Sequence, residues 1–206
     1  YFKDGNEEEK ALAAKMDKLW KGVEWNWYTK GDEKVLYWHW SPTYGWEMNF
    51  PLQGYNECLI TYVLAASSPD YSIDSETYNK GWTRNGTYTT DKTKYGLPLY
   101  VKHNYAEEFG GPLFWSQYSY LGLDPRGLSD QYVKNYWDLN RNHVLINYNY
   151  CVENPFNYKG YSEKYWGLTA SYSRNKDGSV GYSAHQPMKE DLGVITPTAA
   201  LSSMPY

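Results

Sequence analysis

The chain has 206 residues, enough for one domain with a sizeable core or for part of a larger domain. Its formal net charge is -4 and its 20 lysines and arginines are scattered, so no basic face predicts a nucleic-acid or membrane-surface partner. With 24 tyrosines and 10 tryptophans the mean hydropathy is still -0.79. Such aromatic side chains suit either the half-wet surface of a sugar cleft or a packed core, and composition leaves both open.

The first predicted element is a helix over about residues 6 to 21. Asp4 is expected to cap it, acidic residues follow in the first turn, and Leu12, Met16 and Leu19 lie along one stripe. Trp25, Trp27, Trp38 and Trp40 then alternate with polar partners around a Gly31-Asp32 turn, and this alternation predicts a hairpin.

Most of the remaining elements are predicted to be helices. A helix over about residues 54 to 67 is apolar on every side, and the longest helical segment lies between Asp130 and Pro155. Shorter helices are predicted over 73–82, 110–125, 162–173 and 196–206, with a loop or hairpin over 83–99. No apolar stretch approaches the roughly 18 residues of a membrane span.

Glu57 is the leading candidate for chemistry, because a carboxylate is costly to bury in an apolar run unless it has a task or a partner. In the segment YGWEMNFPLQGYNECLITY (44–62) it is expected to share a helix face with Ile60 and Leu64. Burial raises the pKa of a carboxyl group, as a general acid requires, whereas the first turn of a helix stabilises the anion. A structural glutamate paired with lysine or arginine is the alternative, and the residues leave both open.

Glu47 lies ten positions earlier among Tyr44, Trp46 and Phe50, a setting that suits a sugar subsite. An ordinary loop carboxylate is the alternative interpretation. Most glycoside hydrolases need two carboxylates, one as acid and one as base or nucleophile. Glu57 and Glu47 are the catalytic pair that this segment offers.

No metal site and no cofactor are predicted. The histidines have no partner at metal-ligand spacing; they are His39, His103, His143 and His185. The sequence also contains neither a glycine-rich phosphate loop nor a G-x-S-x-G motif.

Three long stretches carry a resemblance to a known family. They are residues 38–73 (beginning WHWSPTYGWEMNFPLQGYNE), residues 110–173 (beginning GGPLFWSQYSYLGLDP) and residues 193–206 (GVITPTAALSSMPY). Together they resemble the bacterial glucoamylase-like domain, whose characterised members include β-1,2-glucanases and related enzymes that release sophorose.

The resemblance implies an all-α fold, an (α/α) toroid of six helix pairs with its substrate cleft at one end. Residues 1–206 would be a partial toroid domain, its C-terminal half, with long aromatic-rich loops. The upstream half and a short C-terminal tail would lie outside this sequence, and the remaining half of the domain would be a partner of this chain. The family also implies a periplasmic or secreted bacterial enzyme that needs no metal.

The resemblance also implies roles for particular residues. Glu57 falls in the motif GYNE, where the family carries an acidic cleft residue. Sugar subsites are expected at positions of the cleft-side loop, namely Trp38, His39, Trp40, Tyr44, Trp46 and Asn56. Glu163 and Trp166 match the motif E..WGLTAS, but Tyr165 stands where the family often has cysteine, so no thiol or disulfide role follows there.

The sequence therefore predicts a glycoside hydrolase of a glucan, most specifically β-1,2-glucan or its oligosaccharides, acting by acid/base hydrolysis with inversion. Glu57 would protonate the leaving oxygen, and a carboxylate upstream of this sequence would activate water, so this fragment alone would be inactive. The alternatives are a non-catalytic glycan-binding module, a glucoamylase-type α-glucan hydrolase and a phosphorylase on the same toroid.

Overall fold

A computed structural model describes residues 2–206, which divide into two compact units. The first unit comprises residues up to Gln53 together with Thr61–Asn85, and the second comprises Gly54–Ile60 and Gly86–Tyr206. The α-helices are α1 (Glu7–Lys21), α2 (Leu59–Ser67), α3 (Phe114–Gln117), α4 (Tyr136–Glu153) and α5 (Pro197–Ser202). The strands are β1 (Leu36–Tyr37), β2 (Pro51–Leu52), β3 (Thr93–Lys94), β4 (Leu97–Pro98), β5 (Ala170–Arg174) and β6 (Val180–Ala184).

The chain is helix-rich but not purely helical, which corrects the all-α prediction. Successive strands pair antiparallel into three two-stranded sheets: β1 with β2, β3 with β4, and β5 with β6. The β3–β4 hairpin lies in the segment 83–99, where a loop or hairpin was predicted. The helix predicted over 162–173 is absent: residues 162–165 form a turn, and β5 of the β5–β6 hairpin begins at Ala170. The strands of this hairpin flank a turn in which the Gly178 N–H donates to the Asn175 carbonyl at 2.9 Å.

In the first unit, α1 begins at a capping box rather than at the predicted Asp4. The Glu9 N–H donates to Asn6 Oδ1 at 3.0 Å, and the Asn6 N–H donates to Glu9 Oε2 at 2.8 Å. These reciprocal bonds satisfy two N–H groups that a helix start otherwise leaves unpaired. The predicted apolar stripe of α1 is present, but Leu12, Met16 and Leu19 are all exposed.

The small sheet of the first unit is held by Tyr62 of α2. Its hydroxyl accepts from the Leu36 N–H at 3.0 Å and donates to the Leu52 carbonyl at 2.8 Å, so one buried side chain ties β1 to β2. The hairpin predicted between Trp25 and Trp40 is wrong. Residues Trp25–Thr29 form a 3₁₀ helix that ends at Lys30 in a left-handed conformation, and β1 pairs instead across the loop 38–50.

The core of the second unit is built around α4. Ile146, Tyr150 and Cys151 pack there with side chains from the surrounding loops, namely Leu99, Phe109, Tyr161 and Leu168. The buried residues of α4 also include polar side chains, namely Asn140, Asn142, His143 and Asn147. Asn142 donates to the Pro98 carbonyl at 2.9 Å, and Asn147 accepts from the Leu168 N–H at 3.0 Å. The helix thereby fixes the irregular segments that run past it.

Two further features of the second unit concern its ionisable side chains. Burial lowers the pKa of His143 to about 4, and its ring is held by the Ser116 hydroxyl at 2.7 Å and the Gly111 carbonyl at 3.0 Å. Asp191 is buried and accepts from the hydroxyls of Tyr161 at 2.6 Å and Tyr150 at 2.8 Å. His143 and Asp191 thus each hold neighbouring loop segments in place.

In the part of the chain that is described, no helix is long and apolar enough to cross a bilayer.

Candidate functional site

Glu57 lies in a turn two residues before α2, not inside the predicted helix over 54 to 67. Gly54, in a left-handed conformation, and the buried Tyr55 precede it, and the chain becomes helical only at Leu59. Glu57 therefore belongs to the entry of the helix rather than to a helix face shared with Ile60. Its side chain is half-buried.

The backbone of Glu57 is fixed by two polar side chains. The Cys58 N–H donates to Asn56 Oδ1 at 2.9 Å. The buried Ser119 hydroxyl donates to the Glu57 carbonyl at 2.7 Å and accepts from the Ile60 N–H at 3.1 Å. Asn56 and Ser119 thus satisfy N–H groups at the start of α2 and hold the residue between them in one backbone position.

Tyr55 anchors the same turn in the interior of the second unit. Its hydroxyl shares a hydrogen bond with the Tyr120 hydroxyl at 2.7 Å and donates to Asn140 Oδ1 at 2.9 Å. Its ring stacks on Tyr136 with centroids 6.1 Å apart. Because the turn is anchored one residue before Asn56, the position of Glu57 follows from α4 and its neighbours.

The environment of the Glu57 carboxyl group favours its neutral, protonated form. Partial burial raises its pKa, and a hydrogen bond with its own backbone N–H offsets this only in part. No ion pair to Glu57 is formed by any lysine, arginine or histidine of residues 2–206. Burial and the nearby Glu57 charge raise the pKa of the Cys58 thiol to about 12, so that thiol stays protonated. The ion-paired alternative for Glu57 is therefore not what the structure contains.

The first unit carries an exposed set of aromatic side chains, called here the aromatic surface: Trp27, Trp38, Trp40, Tyr44 and Phe50. Trp46 lies half-buried beneath it, with ring centroids 6.2 Å from Trp27 and 5.9 Å from Tyr37. Trp27 also meets Trp40 edge-on at 5.8 Å. Trp27 is not among the predicted site residues, because the sequence pattern places it in a strand of the predicted hairpin.

Glu47 and His39 belong to the same part of the first unit. Glu47 is exposed in a turn in which its N–H donates to the Tyr44 carbonyl at 3.1 Å. His39 is half-buried beside the exposed Trp38, whose ring meets Phe50 edge-on at 6.3 Å. The predicted site residues are thus divided between the two units, with Asn56 and Glu57 in the second.

Glu163 and Trp166 lie in the second unit and have different environments. Glu163 is exposed in a turn closed by backbone hydrogen bonds of 3.0 and 3.2 Å between Ser162 and Tyr165, where a helix was predicted. Trp166 is half-buried, packs against the core and meets Tyr148 edge-on at 5.3 Å. Glu163 is thus accessible to solvent, whereas much of the Trp166 side chain packs against the core.

Known proteins similar to this chain act on β-1,2-linked glucans. The chain is 59% identical to the endo-β-1,2-glucanase from Chitinophaga pinensis, solved with sophorotriose and glucose, at a TM-score of 0.91; the match covers 100% of this chain and 48% of that one. It is 42% identical to the β-1,2-glucanase structure from Parabacteroides distasonis, with a TM-score of 0.88 over 100% of this chain and 31% of that one.

A curated relative leads to the same group of proteins. The chain is 42% identical to an exo β-1,2-glucooligosaccharide sophorohydrolase (non-reducing end) from Parabacteroides distasonis, over 100% of this chain and 30% of that protein. The chain therefore spans less than half the length of these relatives. A protein family described as "Putative glucoamylase" matches residues 49–206. The chain belongs to this glucoamylase-like family.

Proposed function

We propose that this chain is part of a glycoside hydrolase that cleaves β-1,2-glucan or its oligosaccharides by acid/base hydrolysis with inversion. The observation that carries the proposal is Glu57, a half-buried carboxyl group with a raised pKa and no basic partner among the described residues. It lies in a chain that is 59% identical to an endo-β-1,2-glucanase. A general acid needs this environment, because it must still hold a proton near neutral pH.

In the proposed reaction, the Glu57 carboxyl group donates its proton to the leaving glycosidic oxygen. A second carboxylate deprotonates a water molecule that attacks the anomeric carbon from the opposite face, so the product has the inverted configuration. In inverting enzymes the two carboxyl groups lie roughly 6.5–9.5 Å apart, which leaves room for that water. Glu47, exposed in the first unit, is the candidate base within this chain; the other candidates are carboxylates outside this sequence.

The proposed sugar subsites comprise the aromatic surface of the first unit and, separately, polar and aromatic side chains of the second unit. A pyranose has an apolar C–H face, which packs on indole or phenol rings, and a rim of hydroxyls that needs hydrogen-bond partners. The proposed subsite residues are Trp38, His39, Trp40, Tyr44, Trp46, Asn56, Glu163 and Trp166. Support comes from the exposure of Trp38, Trp40 and Tyr44, since large aromatic rings left in water at one place mark a binding surface.

We further propose that the chain completes an (α/α) toroid together with a second half of the same domain. The apolar stripe of α1 supports this, because Leu12, Met16 and Leu19 have no cover in the first unit. The chain also accounts for 48% of the similar endo-β-1,2-glucanase structure. A polymeric glucan does not cross a bilayer unaided, so we place the enzyme in the bacterial periplasm or outside the cell.

Incubation of the protein, expressed with all of its natural sequence, with a panel of glucans tests this proposal. We expect turnover of β-1,2-glucan, with NMR showing the α-anomer as the first product. Binding without turnover would instead identify a glycan-binding module, and turnover of α-glucan would identify a glucoamylase-type enzyme. Turnover that requires phosphate would identify a phosphorylase.

A further inference from the structure

The first unit contains a cavity of about 710 Å³ beside Trp27. This volume lies within the range of small-molecule sites, roughly 300–1,000 Å³. Polar side chains line it together with the aromatic rings of Trp27 and Tyr71. The charged and polar residues of the lining include Glu24, Asn26, Asp32, Lys34 and Ser72.

Trp27 connects this cavity to the aromatic surface. Its side chain is 49% exposed, and its ring meets Trp40 at 5.8 Å and Trp46 at 6.2 Å. One indole therefore takes part in both features. An oligosaccharide bound on the aromatic surface could therefore extend into the cavity while its sugars remain in contact with aromatic rings.

The charges around the cavity disfavour an anionic ligand. The Lys34 ammonium is held by Asp32 at 2.8 Å and by Asp74 at 2.6 Å, and Glu76 lies at 3.7 Å. Glu76 pairs with Lys80 at 2.5 Å, and Glu24 adds a further carboxylate to the lining, so four carboxylates face two ammonium groups. A phosphate or a carboxylate would meet net repulsion there, whereas a neutral ligand would not.

The other polar side chains of the lining can form hydrogen bonds with the hydroxyl groups of a ligand. Glu24, Asn26 and Ser72 are exposed, and their side chains have no hydrogen-bond partner among residues 2–206. They offer a carboxylate, an amide and a hydroxyl, which can accept from and donate to sugar hydroxyls while the indole packs on a C–H face.

We propose that this cavity binds a glucosyl unit of a β-1,2-glucan chain that extends beyond the sugars held on the aromatic surface. The inference rests on the proposed function, because that function supplies the identity of the glucan. It assigns the protein a preference for long chains over short oligosaccharides, with Trp27 as the side chain on which the additional unit packs.

The experiment compares binding of long β-1,2-glucan and of sophorotriose by calorimetry, in a Glu57→Gln background so that the sugars persist. The variants are Trp27→Ala, which removes the ring, and Ser72→Tyr, which fills the cavity from an exposed position. Ser75→Tyr is the matched control, since Ser75 is exposed in the same segment and does not line the cavity.

We expect both test variants to weaken binding of the long glucan relative to sophorotriose by about tenfold, which corresponds to about 1.4 kcal/mol. Ser75→Tyr should leave this ratio unchanged. Ser72→Tyr serves as the second test because Trp27→Ala also removes contacts with Trp40 and Trp46.

An unchanged ratio in Ser72→Tyr would overturn the proposal, and so would occupation of the cavity by an organic cation such as choline in preference to glucan. If the ratio is unchanged in Ser72→Tyr, the protein that retains Glu57 would still hydrolyse β-1,2-glucan, and the proposed function would stand. A parent that neither binds nor hydrolyses β-1,2-glucan would overturn both.

Discussion

At the scale of single residues, the proposed role of Glu57 as general acid depends on how its backbone is held. The residue is half-buried in a turn, and Ser119 bridges its carbonyl and the Ile60 N–H. A general acid must present its proton within hydrogen-bond distance of the leaving oxygen, so small shifts of the turn weaken catalysis.

Ser119→Ala tests this positioning. The substitution removes the bond to the Glu57 carbonyl and leaves the Ile60 N–H without its partner, which costs about 1–3 kcal/mol of unfolding free energy. We expect kcat on β-1,2-glucan to fall more than KM rises, and the pH dependence of kcat to shift, because the burial of Glu57 changes. Urea unfolding and pH-rate profiles measure the two effects.

Ser67→Ala is the control for Ser119→Ala. Ser67 lies at the end of α2 and is exposed, and its hydroxyl bonds only to the carbonyls of Val63 and Leu64 in its own helix. Its loss should change the unfolding free energy by no more than about 0.5 kcal/mol. Equal effects of the two substitutions on kcat would exclude a positioning role for Ser119.

The sequence was enough to single out Glu57 but not its supports. A carboxylate beside an apolar run can be recognised from the local sequence alone. Ser119 lies 62 positions away and matches no motif, because its role arises only when the α3 segment packs near the start of α2. Likewise, the exposure of Trp27 could not be predicted once Trp25 and Trp27 had been assigned to a hairpin.

At the scale of secondary-structure elements, strong local signals were predicted correctly and weaker ones were not. The acidic first turn and apolar stripe gave α1, and the segment bounded by Asp130 and Pro155 contained α4. The segment 162–173 combines apolar and aromatic residues without a clear period. From Ala170 onward, pairing with the neighbouring strand β6 across a hairpin turn selects the strand over the helix.

Two glycines test how tightly these elements pack. Gly110 and Gly96 both have left-handed backbones, with φ of +86° and +72°. A Cβ on Gly110 would lie 2.5 Å from His143 Cδ2 of α4, whereas nothing lies within 4 Å of one on Gly96. Alanine at either position adds backbone strain of about 1–2 kcal/mol.

Gly110→Ala should therefore destabilise the protein more than Gly96→Ala does, by roughly a further 1–3 kcal/mol for the overpacked histidine. Chemical unfolding of the two variants gives the comparison. Equal midpoints would show that His143 moves aside freely, contrary to its hydrogen bonds with Ser116 and Gly111.

At the scale of the whole molecule, the uncovered stripe of α1 is the feature that this chain does not explain by itself. Leu19 is 73% exposed, and α1 contains no buried residue. If a second half of the domain covers the stripe, Leu12 and Leu19 are core residues in the complete protein. If nothing covers the stripe, these two leucines are surface residues.

The double substitution Leu12→Ser and Leu19→Ser separates these cases in protein expressed with all of its natural sequence. We expect a loss of unfolding free energy of at least about 2 kcal/mol, as for truncation of buried leucines. Lys18→Ser, on the opposite face of the same helix, controls for helix propensity. A double variant as stable as this control would argue that the stripe faces water.

In the proposed function, Glu57 supplies the proton to the leaving oxygen of a β-1,2-glucosidic bond. Because burial raises its pKa, the carboxyl group keeps its proton to higher pH than an exposed glutamate does. The kcat of the parent should therefore fall as pH rises through that raised pKa, since the acid is then deprotonated.

The most direct test is the kcat of Glu57→Gln on β-1,2-glucan at neutral pH. We predict a decrease of about 10²- to 10⁴-fold. The midpoint of unfolding should be unchanged or higher, because the amide removes the cost of a partly buried charge. Full kcat in a folded Glu57→Gln variant would contradict the account.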